Sequence, residues 1–177
     1  MDSDRQRPSQ EKLQSTLVLA VGNPLRGDDG IGAAVIEALQ LHPLPRAVTL
    51  LDGGTSGLET TLQLQGYDRA IIVDAADLGE EPGAWRCITL DDVPIPEQLL
   101  NSISTVHNAG LAEALHLGRA LNILPGKIWI YAVQPAEIGW EPGLSPAVCQ
   151  AIPQVCTEIL ALLYPSLQHA TTLDVPI

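Results

Sequence analysis

The stretch that decides the fold is Leu17–Leu39, LVLAVGNPLRGDDGIGAAVIEAL. It begins with the apolar run Leu17–Val21, which predicts a strand buried on both faces of a parallel sheet. Residues Gly22–Gly27 are rich in glycine, asparagine and proline and predict a tight loop. From Ile31 to Leu39, apolar residues recur at helical spacing and predict a helix. A strand, a loop and a helix form one βα unit of an open α/β sheet, whose ligands bind beyond the carboxyl ends of the strands.

Two adjacent aspartates, Asp28 and Asp29, lie where the loop meets the predicted helix. Helix capping and the helix dipole favour an acidic residue here, and they explain one of the two well. The dinucleotide fingerprint and the P-loop motif are both absent, and two carboxylates would repel a phosphate. The sequence therefore favours a cation or a polar hydrogen-bond donor at this helix start.

Composition is typical of one globular domain. The chain has 177 residues, 46% of them apolar, which is enough for a sizeable core. A formal net charge of −12 disfavours nucleic acid and anionic membranes as partners. Cys87, Cys149 and Cys156 form no C-x-x-C pair, so we expect reduced core cysteines in a cytoplasmic protein. No apolar run approaches about 18 residues and the N-terminus is too polar for a signal peptide, so we expect no membrane span.

The rest of the chain alternates between strands and helices. Strands are predicted at residues 48–51, 69–73, 84–90 and 128–133, and helices at 58–64, after His107, and from Ser145–Pro146 onward. Residues 91–105 have little periodicity and predict a long loop. We expect a flexible tail at 1–15, a single α/β domain at 16–166 and a loose C-terminal tail at 167–177.

Carboxylates follow three of the predicted strands. They are Asp28 and Asp29 after the first strand, Asp52 after the second and Asp74 after the third. If the strands are parallel, these groups converge at one edge of the sheet, at a topological switch point. Convergence of like charges is costly unless a cation or shared protons offset it.

His107 lies between the predicted long loop and a helix start, unlike the other three histidines. A single histidine in such a place is more often a cap or a surface residue than a ligand. With Asp29 and Asp74, however, it would give two oxygen donors and one nitrogen donor, and imidazole suits nickel, zinc, copper and iron. Three protein groups leave open positions, as catalytic or transfer sites do.

The motifs of nucleophile-based and zinc-dependent hydrolysis are absent from the sequence. It has no G-x-S-x-G elbow and no H-E-x-x-H helix. Asp52–Thr55 faintly resembles the aspartic-protease loop, but glycine follows the aspartate. Paired carboxylates can still act as general acid and base on a peptide bond.

An ordered series of motifs over residues 16–165 resembles the hydrogenase maturation endopeptidases, which process the large subunit of NiFe hydrogenases. The motifs are Gly22–Gly32, Asp52–Thr55, Ile71–Ala75, His107 with Gly110–Leu111, Val133–Pro135 and Gly143–Pro146. The resemblance implies a three-layer α/β sandwich with a twisted, mostly parallel five-stranded sheet and helices on both faces.

The resemblance also implies an activity, a partner and a site. The activity is aspartyl-type endopeptidase cleavage that removes a C-terminal peptide from a large-subunit precursor already loaded with nickel. The nickel-contacting residues of the family carry over to Asp29, Asp74 and His107, and Asp52 matches a further functional aspartate. Many members have Glu at the position of Asp29. The nickel belongs to the precursor, and we expect the protein itself to be a monomer.

Several alternatives stay open at this point. The same residues would suit a non-proteolytic, nickel-dependent checkpoint or chaperone for the precursor. They would also suit a self-contained metallohydrolase with its own bound ion. An α/β domain with acidic helix caps would leave the carboxylates dispensable. Within the peptidase hypothesis, Asp52 and Asp28 are both candidates for the general base.

Overall fold

The computed structural model describes residues 14–55, 57–90 and 111–164. Its strands are β1 (Thr16–Ala20), β2 (Val48–Asp52), β3 (Arg69–Ala75), β4 (Trp85–Leu90) and β5 (Lys127–Val133). Its helices are α1 (Ile31–Leu39), α2 (Gly57–Gln63), α3 (Leu111–Ala120) and α4 (Pro146–Leu163), and a 3-10 turn at Gly27–Gly30 precedes α1. The predicted loop at 91–105, His107 and the predicted C-terminal tail lie outside the described residues.

The five strands form one sheet in the order β2-β1-β3-β5-β4. Strands β1, β2, β3 and β5 are parallel, and β4 pairs antiparallel with β5 at the edge. The predicted mostly parallel five-stranded sheet is therefore confirmed. Since β2 lies on one side of β1 and β3 on the other, the strand order reverses at β1, and the ends of β1 and β3 form the switch point.

Side chains of the central strands alternate between two hydrophobic cores. Val18 and Ala20 belong to the core that α1 and α4 cover, whereas Leu17 and Leu19 belong to the core that includes residues of α3. All four are at most 1% exposed, and burial of a Val or Leu side chain contributes about 1.5–3 kcal/mol. Two cores around one sheet give the predicted three-layer α/β sandwich.

Helix α4 begins as predicted, because the Ser145 side chain accepts a hydrogen bond from the Val148 amide at 3.4 Å. Its 18 residues have a mean hydropathy of 1.4, which is long and apolar enough for a membrane-crossing helix. In this fold, Val148, Val155 and Ile159 pack into the core beside α1. A helix that packs one apolar face on a core can have the same mean hydropathy as a membrane-crossing helix, and α4 packs in this way.

The cysteines depart from prediction. Cys156 is buried, but Cys87 and Cys149 are exposed, and none of the three forms a disulfide. The prediction of three core cysteines is wrong for Cys87 and Cys149, because one lies on the edge strand β4 and the other on the outer face of α4. At the N-terminus, Ser15 belonged to the predicted tail, yet its amide and hydroxyl donate to the Asp68 carboxylate at 2.8 and 2.9 Å.

Candidate active site

The candidate site lies where β1 and β3 end side by side. Ala20 pairs with Val73, and the amide of Val21 donates to the Val73 carbonyl at 2.9 Å. Asp74 is the next residue of β3, and the 3-10 turn that carries Asp29 packs beside this strand. The structure thus brings Asp29 and Asp74 together at the switch point, as the sequence predicted.

Asp74 is a buried carboxylate. It is 1% exposed, and within residues 14–55, 57–90 and 111–164 neither carboxylate oxygen has a hydrogen-bond partner. Burial first and the charge of Asp29 second raise the pKa of Asp74 well above its usual 3.8, and the backbone amide of Ala75 is a smaller influence that lowers it. A buried carboxylate of this kind is costly unless a cation or a proton reaches it. The pair therefore fits a site that receives a cation or a proton.

Asp29 is held by the glycine-rich loop of the first motif. Its carboxylate accepts a hydrogen bond from the Asn23 amide at 2.7 Å. Gly22, which precedes Asn23, has a φ of +121°, and a Cβ on it would lie 2.1 Å from the Asp29 carbonyl oxygen. Gly32 lets α1 cross the strand ends, because a Cβ there would lie 2.8 Å from the Val73 carbonyl oxygen. Both glycines are required for close backbone approach at the site.

Asp28 has a different role from its neighbour. Its carboxylate accepts three backbone amide hydrogen bonds, from Ala136 at 2.8 Å, Glu137 at 3.2 Å and Ser145 at 2.6 Å. Neither Asp28 nor Asp29 caps α1, whose N-cap is Gly30 without a side-chain bond. The capping interpretation is wrong because both aspartates lie within the 3-10 turn, and Gly30, the last residue of this turn, occupies the N-cap position. Since both oxygens of Asp28 are engaged, the structure disfavours Asp28 as the general base.

Asp52 ends β2 on the other flank of the site. It pairs with Ala20, is exposed, and accepts a hydrogen bond from the Gly54 amide at 3.1 Å. This loop is tied to the site, since the Gly22 amide donates to the Gly54 carbonyl at 3.0 Å. Asp52 therefore lies at the same edge of the sheet as the ends of β1 and β3, and its exposed carboxylate can exchange protons with solvent. Its catalytic role stays a prediction.

The position of His107 is not described, so its predicted contact with a metal stays a prediction. Helix α3, which follows it in the chain, packs Leu111 and Leu115 in the same core as Ala70 and Ile72 of β3. Within residues 14–55, 57–90 and 111–164, no three His, Cys, Asp or Glu side chains come together as a metal site. The described part of the predicted nickel-contacting set is Asp29 with Asp74.

Sequence reasoning missed a groove beside the Asp28 turn, with a volume of about 490 Å³. The loop after β5 forms one wall, and Trp140 projects from this loop with its side chain 84% exposed. In the sequence, the feature that could have indicated this groove is Trp140, a tryptophan among glycines and a proline. A second groove of about 790 Å³ lies along β4, and neither Asp29 nor Asp74 lines it.

Gly22→Ala is expected to destabilise the fold and displace Asp29, because the added Cβ meets a backbone oxygen that cannot yield easily. Overpacking of this kind costs about 1–3 kcal/mol beyond the strain of the left-handed backbone. Gly66→Ala is the matched control, since Gly66 has a φ of +88° with no atom within 4 Å of its Cβ position. Urea denaturation compares the two, and an equal loss of stability would contradict the clash.

Comparison with known proteins gives consistent matches. The family model HycI, described as hydrogenase maturation protease, matches residues 33–162. The hydrogenase 2 maturation protease of Escherichia coli K12 is 36% identical over 148 residues, which cover 83% of this chain and 89% of the relative. The solved structure of the hydrogenase maturating endopeptidase HybD from E. coli superposes with a TM-score of 0.74 at 34% identity, covering 85% of this chain and 93% of HybD. The solution structure of an endopeptidase from E. coli has a TM-score of 0.76 at 34% identity, with coverages of 85% and 93%.

Proposed function

Since this chain belongs to the hydrogenase maturation protease family and is a peptidase, we propose that it removes the C-terminal extension of a nickel-loaded large-subunit precursor of a NiFe hydrogenase. The observation that carries the proposal is the buried pair of Asp29 and Asp74, in which Asp74 has no hydrogen-bond donor among the described residues. Such a pair favours a cation or a proton, and a nickel-loaded precursor supplies a cation as part of the substrate.

In the proposed complex, the substrate nickel contacts Asp29 and Asp74, and His107 completes the predicted set. Carboxylate and imidazole are both ligands that accept nickel. The cation offsets the charge of the two carboxylates, which is the cost that the free site carries. Contact with the metal fixes the precursor on the enzyme and places the bond to be cut, so catalysis relies first on proximity.

The proton transfers fall to exposed groups at the same edge of the sheet. We infer that Asp52 accepts a proton from the attacking water, because its carboxylate is exposed and, in the part of the chain that the structure describes, the Gly54 amide holds only one of its oxygens. Water adds to the carbonyl carbon of the scissile bond, and the new amine leaves with a proton. Asp28 is unsuited to this step because three amides occupy its oxygens.

The checkpoint alternative is not favoured, because the matching family model and the E. coli relative are both described as proteases. It makes a distinct prediction, namely a stable complex with the precursor and no change in its mass. Intact-mass spectrometry of the complex separates the two functions.

Nickel-loaded precursor is expected to lose a defined C-terminal peptide, whereas nickel-free precursor is cut at least about 100-fold more slowly. The reason is that nickel-free precursor makes no contact with Asp29 and Asp74. Intact-mass spectrometry of both precursors, before and after incubation with the enzyme, measures the effect. A zinc-loaded precursor serves as a control for the presence of any divalent cation. Equal cleavage with and without nickel would refute metal gating.

A further inference from the structure

The groove beside the Asp28 turn has the chemistry of a peptide-binding site. We propose that it binds the part of the hydrogenase precursor next to the cleaved bond, through a cationic side chain held by Trp140 and two glutamates. The proposal rests on the proposed function and extends it to substrate recognition. The Trp140 groove, as we call it, is lined by Gly27, Glu137, Gly139, Trp140, Glu141 and Gly143.

An exposed aromatic side chain marks this groove. Trp140 lines the groove and is 84% exposed. Tryptophan is enriched among the residues that contribute most to protein interfaces, because its large ring loses much water contact when a partner covers it. Trp140 is therefore an anchor that stays mostly exposed in the isolated chain, although Arg26 packs against its ring.

Charge in the groove selects the partner. Glu137 and Glu141 are exposed carboxylates, whereas the charge of Asp28 is already satisfied by amides. Arg26 contributes the opposite charge, and its guanidinium lies 4.7 Å from the centre of the Trp140 ring. The ring thus already accepts a guanidinium on its face. Two glutamates against one arginine leave the groove negative, which favours an Arg or Lys side chain and repels an acidic one.

The groove is fixed to the turn that carries Asp29. The Gly27 amide donates to the Glu141 carbonyl at 2.9 Å, and the Asp28 amide donates to the Glu137 carbonyl at 3.2 Å. Asp28 lines the groove and precedes Asp29 in the same 3-10 turn, although neither Asp29 nor Asp74 lines the groove itself. A pre-formed wall lowers the entropic cost of binding. A precursor held in the groove therefore lies next to the turn that carries Asp29 and does not contact the buried carboxylate pair.

Trp140→Ala in the full chain tests the proposal. Calorimetry with nickel-free precursor gives Kd, and cleavage of nickel-loaded precursor gives KM and kcat. We expect Kd and KM to rise at least about 10-fold, with kcat changed less than about threefold, because the groove binds substrate without touching the reacting atoms. The controls are Leu41→Ala, at a side chain 86% exposed, and Glu37→Gln on the outer face of α1, both expected within about twofold of wild type.

A charge exchange tests the cationic partner. The double variant Glu137→Lys with Glu141→Lys is expected to weaken precursor binding at least as much as Trp140→Ala does. Precursors are then made in which each Arg or Lys near the cleaved bond is replaced by Glu. One of these is expected to bind the double variant more tightly than it binds wild type. If no charge-reversed precursor does so, the cationic contact is wrong.

The possible results distinguish a failure of the groove proposal from a failure of the proposed function. If wild type cuts the precursor but Trp140→Ala leaves Kd and KM unchanged, the groove proposal is wrong and the proposed function stands. If wild type binds without cutting and Trp140→Ala weakens binding, the groove proposal stands and the proposed cleavage is wrong. If sedimentation shows a wild-type dimer that Trp140→Ala dissociates, a second copy occupies the groove and the proposal is overturned.

Discussion

Asp74→Asn is expected to abolish cleavage of the precursor and, at neutral pH, to stabilise the fold. Activity should fall at least about 100-fold, because the amide removes a charge that holds the substrate metal in place. Stability should rise because the carboxylate is buried, lies beside Asp29 and has no hydrogen-bond donor in the described part of the chain. For a domain of this size, each kcal/mol shifts Tm by about 2–4 °C, so calorimetry resolves the gain.

The stability gain of Asp74→Asn depends on pH in a defined direction. The folded pKa of Asp74 is raised by burial and by the charge of Asp29. Its contribution to stability is therefore most favourable below the unfolded pKa of about 3.9 and is lost as the pH rises through the folded pKa. The gain in stability of Asp74→Asn over wild type should therefore be larger at pH 7 than at pH 4.

The matched control for this variant is Asp77→Asn, three positions further along. Asp77 is exposed, and its carboxylate accepts only a local hydrogen bond from the Gly79 amide at 3.1 Å among the contacts described. Its substitution should leave cleavage and Tm near wild type. If Asp74→Asn cleaves the precursor at a rate within about threefold of the wild-type rate, Asp74 is not part of the active site. Equal stability of Asp74→Asn and wild type at pH 7 would show that a group outside the described residues relieves its charge.

Asp28→Asn is expected to have the opposite effect on stability. Its carboxylate accepts three backbone amides of the loop after β5, and asparagine would turn its own NH₂ donors toward some of them. Hydrogen bonds to charged groups contribute about 1.5–3 kcal/mol each, so we expect a net loss of at least about 3 kcal/mol. That loss corresponds to a fall in Tm of at least about 6 °C.

Cleavage by Asp28→Asn should fall mainly through a higher KM, because the loop that carries Trp140 loses its attachment to the site. Urea denaturation and steady-state cleavage, measured side by side with Asp74→Asn, check both effects. The same chemical change at two buried aspartates should thus move stability in opposite directions. A Tm for Asp28→Asn equal to that of wild type would show that the three amide contacts contribute little.

Most of the fold could be predicted because its signals are local. The apolar run at Leu17–Val21 and the helical spacing from Ile31 to Leu39 each report on neighbours in the chain, and the structure places β1 and α1 there. Convergence of Asp29 with Asp74 followed from one general property of parallel sheets. Such inferences need no knowledge of distant contacts.

The separate roles of Asp28 and Asp29 could not be predicted in this way. In sequence they are two equal acids at a helix start, and the distinction comes from amides 108 and 117 residues away. The exposure of Cys87 had a similar cause, because it depends on which strand ends the sheet. The Trp140 groove forms where Gly27 meets the loop after β5, so no single stretch of sequence contains it.

The contacts of Asp28 also have a consequence for the order in which the protein folds as it is made. Its amide donors at Ala136 and Ser145 follow β5, so the first motif is translated more than 100 residues before its partners. Contacts over such separations form late in folding, because the loop-closure entropy must be overcome first. A nascent chain that ends before β5 lacks one of the two strands that pair with β3. It also lacks the loop that forms one wall of the Trp140 groove. The Asp28 carboxylate can therefore gain its full set of amide donors only after residues 136–145 have been made.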